Sequence, residues 1–345
     1  MQSEATPRPN LASVAALAGV SASTASIAFS GAGPVSDATR EKVLAAAATL
    51  NYAGPDPRAA SLRRGRSGIV GVVMDDRLSD AFRDPMNIAM LDGLADELGA
   101  AESGLLLMTG TTPFMTAPVD AIVLVGCSSR IVESVTVFRQ RNLPIVAIEA
   151  EPMDGVLEIA LDNRSASATL ARHLRDLGHE RVAVVTLPLD PARTRGPLTP
   201  GLEAASDVFT ASERLRGVRE VYPGASGVAT SASLVEEGHA AALALLRARD
   251  RPTAIIAQSD LLAVGVIAAA LELGLRVPEE LSVVGFDGVP LDGIAPHDLT
   301  TMVQPAVEKG RAAGRAALAL LAGEPATSAE FVSTFHRGAT TAPAR

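Results

Sequence analysis

Tryptophan is absent from the chain, tyrosine occurs twice, and aromatic residues make up only 3% of it, which rules out an indole platform for any ligand. Cysteine is equally scarce. Cys127 stands alone, so no intramolecular disulfide can form, in keeping with a reducing compartment. At the end of an apolar run, it reads as a small buried filler rather than a nucleophile. No apolar run reaches the roughly 18–20 residues that would span a bilayer, and Met1 to Asn10 lacks the apolar core of a secretory signal. A cytoplasmic protein with no membrane partner is the expectation. Signatures of catalysis are missing as well: there is no GxSxG elbow, no phosphate-binding GxxxxGKS/T loop and no HExxH pair. The five histidines, His173, His179, His239, His297 and His336, are scattered. The expectation is a protein that is not an enzyme and needs no metal or cofactor.

What remains is a chain of 345 residues, 48% hydrophobic, with room for a small module beside a two-lobed body. The net charge of −9 argues by itself against nucleic acid, but its distribution argues the other way. Up to Gly68, seven basic residues (Arg8, Arg40, Lys42, Arg58, Arg63, Arg64, Arg66) face four acids, giving +3 and leaving −12 for the rest. A basic module joined to an acidic body is the pattern expected when one end alone meets phosphates.

Asn10 can cap a first helix over LASVAALA (11–18), and Gly19-Val20-Ser21 breaks it. Ser21 can cap a second from Ala22 to Phe29, and Ser36 a third from Asp37 to Leu50, with Val43, Leu44, Ala47 and Leu50 as its apolar stripe. Three short helices with a tight turn between the first two form a helix-turn-helix module over 1–54. Residues 55–67 link it to the rest. From Gly68 to Arg345, continuous apolar runs such as 68–74, 121–126, 181–187 and 281–286 alternate with amphipathic helices, among them 163–177 and 261–273. That alternation predicts α/β architecture with doubly wound parallel sheets, and its length predicts two lobes. Two departures stand out: a connection between 108 and 121 that is short for a helical crossover, and a long, proline-rich stretch over 188–212.

The stretch from Leu11 to Tyr52, with its AxxAGVS, Thr24-Ala25-Ser26, VSxxTREKV and LNY, resembles the DNA-binding headpiece of the lactose-repressor/galactose-repressor family. The resemblance continues through RHLRDLGHERVAVV (172–185), ERLRGVRE (213–220), the 259–288 segment and LTTMVQP (299–305), and so covers nearly the whole chain. It implies an effector domain similar to periplasmic sugar-binding proteins and a homodimer on a pseudo-palindromic operator. Whether the effector induces or corepresses stays open.

By the family pattern, Ala22 and Ser23 read base edges and Thr24 and Ser26 face phosphates, as expected for the first turn of a recognition helix. Ile27 stands where many members carry Arg. The hinge matches around Arg58, Ala59, Leu62, Arg63 and Arg64, with Leu62 in the place of the minor-groove wedge. In doubly wound sheets ligands bind at the carboxyl ends of strands, which nominates Asp75, Glu149, Ser259 and Asp287. Asp260, also at a strand end, reads first as a helix cap. Arg214 matches the family's effector-binding arginine, and carboxylates with one Arg suit a polyhydroxylated ligand such as a sugar. Ser231 to Ser233 occupy a region where some members place an aromatic lid, which leaves Phe82 and Phe286 to stack on a ligand. After the last strand (Ala329 to Phe335) no heptad tail follows, so a coiled-coil tetramer is not expected. Two rivals stay on the table: a small-molecule binding protein of the same effector fold without a DNA role, and a doubly wound enzyme.

Overall fold

The computed structural model describes residues 9–31, 33–54, 65–75, 77–109, 116–126, 129–291 and 298–345. Arg58, Ala59, Leu62, Arg63, Arg64 and Cys127 lie outside the described residues. The chain divides into two compact units, Met1–Ser67 and Gly68–Arg345.

The first unit holds α1 (Leu11–Ala18), α2 (Ala22–Ser30) and α3 (Asp37–Thr49). Each starts on a side chain that accepts from its own first turn: Asn10 from Ser13 N, Ser21 from Thr24 N, and Ser36 from Thr39 N. Such caps stabilise a helix by about 1 kcal/mol. Gly19, at φ 67°, ends α1 in the left-handed conformation that glycine adopts without strain. Val14, Ala15, Ala25, Ala28, Val43, Ala46 and Ala47 close a small core. Leu44, assigned above to the apolar stripe of α3, is instead 47% exposed, because the buried face runs through Val43, Ala46 and Ala47 at helical spacing.

The second unit is two α/β lobes. In the N-terminal lobe, β1 (Ile69–Met74), β2 (Gly104–Thr109), β3 (Ala121–Val125), β4 (Ile145–Ile148), β5 (Leu157–Leu161) and, from the far end of the chain, β12 (Ala329–Phe331) form one parallel sheet in the order β12-β5-β4-β3-β1-β2. Its helices are α4 (Leu78–Ala81), α5 (Pro85–Ala100), α6 (Ser129–Gln140) and the late α12 (Ala306–Ala322). α5 and α12 touch backbone to backbone at two glycines. A Cβ on Gly93 would lie 2.0 Å from the Val307 carbonyl oxygen, and one on Gly310 would lie 2.0 Å from that of Met90.

The C-terminal lobe orders β6 (Val182–Thr186), β7 (Gly196–Pro197), β8 (Ser226–Ala229), β9 (Ala254–Ala257) and β10 (Ser282–Val284) as β10-β9-β6-β8-β7, with β7 antiparallel to its neighbour. It is flanked by α7 (Asn163–Asp176), α8 (Pro200–Ala204), α9 (Phe209–Val221), α10 (Val235–Leu246) and α11 (Asp260–Glu272). The proline-rich stretch that reads as structureless thus contains a strand and a helix. Thr199 caps α8, and Pro200 occupies its first turn, where a missing N–H costs nothing. The expected strand from Ala329 to Phe335 is two: β12 in the N-terminal lobe and β13 (Thr334–His336), which pairs with β11 (Thr301–Val303).

Among the described residues the chain therefore crosses between lobes three times, at Asp162, at Gln304 and Pro305, and at Val332 and Ser333. Two crossings are tied together: the Asp162 Oδ1 accepts from both the N–H and the hydroxyl of Ser333, at 2.8 Å each. Among the described residues no single helix is long and apolar enough to cross a membrane.

Candidate effector cleft and DNA-binding face

In the first unit, Ala22 and Ser23 are exposed at the start of α2, Thr24 and Ser26 are partly so, and Ala25 and Ala28 turn inward. The exposed side is thus small and rich in hydroxyls, able to approach a groove closely. The hydroxyl of Ser21, the cap of α2, bonds to those of Ser23 and Thr24 at 2.8 Å. Ile27 packs on the backbone of Gly33, whose added Cβ would meet Ile27 Cγ2 at 3.1 Å. The family's Arg position is thus filled here by a packing residue.

In the second unit, a cavity of about 150 Å³ opens between the lobes at the carboxyl ends of both sheets. Asp75 follows β1, Glu149 follows β4, Ser259 follows β9 and Asp287 follows β10; with Arg214 on α9, all five line it. The structure does not bring Phe82 to them. Ala81 takes the inward position at the end of α4, and Phe82 is left 55% exposed, outside the cavity wall. Phe286 is buried, and its ring face carries the Arg214 guanidinium 3.7 Å from the centroid, so it is not open to stack on a ligand.

Arg214 belongs to a closed ring of buried polar side chains beneath the cavity. Its Nε donates to Asn163 Oδ1 at 2.8 Å, and Asn163 Nδ2 donates to Glu149 Oε2 at 2.7 Å. The other carboxylate oxygen of Glu149 accepts from Lys309, whose ammonium also donates to Gln304 Oε1. Gln304 Nε2 donates to Asp287 Oδ1 at 2.6 Å, and Arg214 Nη1 closes the ring on the same oxygen at 3.2 Å. Two cations thus face two buried carboxylates, an arrangement that holds only when each partner is present. Lys309, Asn163 and Gln304 are absent from the candidates drawn from strand ends, because they come from helices and a crossing instead.

Burial works against the charge on Glu149, but Lys309 and Arg214 outweigh it and hold the carboxyl below its ordinary range. Asp287 is pushed well above that range by burial and by Asp260 and Asp84, against the pull of Arg214. Asp260 is raised to about 7, chiefly by burial. Asp260 is not the cap of α11. Ser259 is, accepting from Leu262 N at 3.2 Å, while its hydroxyl also receives that of Ser233. The Asp260 carboxylate instead holds Gly288 N, Val289 N and the Thr301 hydroxyl at 2.6–3.0 Å. Among the described residues no cluster of His, Cys, Asp or Glu is arranged to hold a metal ion.

Residues 10–54 match the model of the lacI family of bacterial regulatory proteins, and residues 171–341 that of the periplasmic binding protein-like domain. A helix-turn-helix-type transcriptional regulator of Mycolicibacterium smegmatis is 34% identical over 330 residues, 89% of each chain. The transcriptional repressor CytR of Escherichia coli is 30% identical, covering 87% of this chain and 86% of its own. Among solved structures, a LacI-family regulator from Corynebacterium glutamicum is similar at 27% identity and a TM-score of 0.73, over 96% of this chain and 98% of that one. The fold is shared with two more distant structures. A CelR–cellobiose complex has 24% identity and a TM-score of 0.67, covering 96% of this chain and 100% of its own. The lac repressor dimer bound to operator and an anti-inducer has 22% identity and a TM-score of 0.74, covering 97% and 99%. The chain belongs to the lacI family of transcriptional regulators.

Proposed function

We propose that this regulator is a homodimeric repressor without enzymatic activity, whose hold on a pseudo-palindromic operator is set by a small polyhydroxylated effector, a sugar or a close relative, bound between the lobes. The observation that carries the reading is the cavity at the carboxyl ends of both sheets, with Asp75, Glu149 and Asp287 facing it. Carboxylates accept from ligand hydroxyls, and the two guanidiniums in the wall already donate to protein oxygens: Arg214 to Asn163, Gln258 and Asp287, and Arg193 to Ser231 and Asp75. A cellobiose complex on the same fold supports the ligand class. For the DNA, Ala22, Ser23, Thr24 and Ser26 are the proposed contacts of α2, and Arg58, Ala59, Leu62, Arg63 and Arg64 those of the hinge. Domain limits of 1–54, 55–67 and 68–345 are part of the same proposal.

Selection of bound duplexes from a random pool by the full-length chain tests the reading. Two-fold-related half-sites are expected, with log affinity that falls by roughly 0.9 per neutralised phosphate per decade of salt. Screening neutral sugars, sugar phosphates and nucleosides against the selected complex then identifies the effector as the compound that shifts operator affinity. Enrichment of no duplex, or equal binding by residues 68–345 alone, would sink it.

A further inference from the structure

Residues 187–208, between β6 and α9, supply Leu187, Pro188, Asp190, Pro191, Arg193 and Val208 to the cavity wall. This strap is fastened to the C-terminal lobe along its length. Leu189 is buried in that lobe's core, and its carbonyl accepts from Asp207 N at 3.0 Å. Gly196 and Pro197 pair with Ala229 and Val228 of β8. The Arg195 guanidinium grips both carboxylate oxygens of Glu237, and its Nε donates to Ser231 Oγ at 3.1 Å.

Arg193 reaches the other way. Its Nη1 donates to the Ser231 carbonyl at 2.9 Å, within its own lobe. Its Nη2 donates at 3.1 Å to the carbonyl of Asp75, at the carboxyl end of β1 in the N-terminal lobe. One planar fork thus joins two carbonyls on opposite walls of the cleft. A tight turn presents it. Arg193 N donates to Asp190 O at 3.0 Å, and the Asp190 carboxylate accepts from both the N–H and the hydroxyl of Thr194, at 2.9 and 2.6 Å. Arg193 itself sits at φ 56°, a conformation that residues with side chains rarely adopt. Glu149 at φ 52° and Asp287 at φ 124° share that feature and line the same cavity. Backbone strain of this kind persists where surrounding structure over-determines it, and it gathers at ligand clamps and switches.

We propose that the 187–208 strap is a clasp on the cleft and that Arg193 is the positioning residue that holds the lobes closed, so that closure is set by the chain itself as well as by ligand. The effector then acts on an equilibrium already biased toward the closed form. A second contact across the rim, the ion pair of Arg83 with Glu236 at 2.7 Å, leaves both side chains 54% exposed and contributes little.

Spin labels at Gln140→Cys on α6 and Asp250→Cys beyond α10, in a Cys127→Ser full-length chain diluted with unlabelled protein, report the lobe separation by pulsed electron resonance without any ligand. The expected result is one narrow, short distance for the otherwise unaltered chain and a longer population in Arg193→Ala. Loss of the one charge-assisted hydrogen bond that spans the lobes, Arg193 to the Asp75 carbonyl, moves the closed-to-open ratio by roughly ten- to hundredfold. Arg193→Lys, with one ammonium for two carbonyls, should fall between them, and Arg83→Ala should leave the distribution unchanged. The clasp is overturned if folded Arg193→Ala keeps the original distribution. Should that variant fail to fold, an unchanged distribution in Arg193→Lys overturns it instead.

Discussion

The two units differ in how consistently their helices start on a local cap. In the headpiece α1, α2 and α3 each open on a side chain that caps them from within three residues. In the effector unit Asp84, Thr199 and Ser259 cap α5, α8 and α11 in the same way, but α7, α9, α10 and α12 open on Asp162, Val208, Leu234 and Pro305, with no cap bond from that side chain. Asp162 has the right chemistry for a cap, yet its carboxylate holds Ser333 on a neighbouring crossing. The headpiece thus specifies itself locally, residue by residue. The effector unit gives up local order at its crossings and cleft to bonds that span the chain, such as Lys309 to Glu149. Such a unit can be shifted as a whole by one change in its cleft, which is what effector control requires.

If that contrast is right, the greatest loss comes from opening the buried ring. Lys309→Met leaves Glu149 buried without its nearest cation and should lower the stability of the effector unit by roughly 3–5 kcal/mol, read as a fall in the urea midpoint of the full chain by circular dichroism. A loss below about 1 kcal/mol would mean that the folded chain does not depend on Lys309 to keep Glu149 charged. Arg214→Ala should weaken the fold along with any ligand, for the same reason.

A smaller effect follows from Asp260. Its folded carboxyl titrates at about 7 against an ordinary 3.8, so the folded state holds the proton more tightly than the unfolded chain does. The stability this contributes is full below the ordinary value and is lost as pH rises through the folded one. Asp287, also raised, has the same sign, whereas Glu149, held low, keeps its contribution above its ordinary 4.5 and loses it as pH falls through its lowered value. The melting temperature of the effector unit should therefore decline from about pH 5 to about pH 8, and Asp260→Asn should flatten the decline. An unaltered slope in that variant would assign it to other groups.

The smallest effect belongs to the headpiece. Ser21→Ala should cost about 1 kcal/mol of headpiece stability and leave the effector unit's melting unchanged. Calorimetry on the full chain separates the two transitions. A shift in both would dissolve the contrast between local and long-range order.

The same contrast governs what can be read from the residues in order. Continuous apolar runs mark β1, β3, β6 and β9, since strands covered on both faces have no polar alternation to hide them. Leu157–Leu161, interrupted by Glu158, and the short Ser226–Ala229 carry no such signal. In the cleft, strand-end geometry is enough for Asp75, Glu149, Ser259 and Asp287, each adjacent to a legible strand. Asn163, Gln304 and Lys309 offer no local cue, because their role exists only once helices far apart in sequence converge. Phe82 has the chemistry of a stacking residue, but the backbone direction at the end of α4 turns it away from the cavity.

The three crossings carry a consequence for synthesis. Residues from Asn163 to Val284 build most of the C-terminal lobe in one stretch, but the N-terminal lobe waits for α12 and β12, which leave the ribosome late. Until those final elements arrive, the β5 edge that β12 will cover and the α5 face that α12 will cover both stand open. Contacts between segments so distant in sequence form slowly and leave apolar surface exposed in the interval. A nascent chain stalled short of residue 306 would therefore present a nearly finished C-terminal lobe beside an unfinished partner, and shortening the gene from its 3′ end should harm the lobe encoded first.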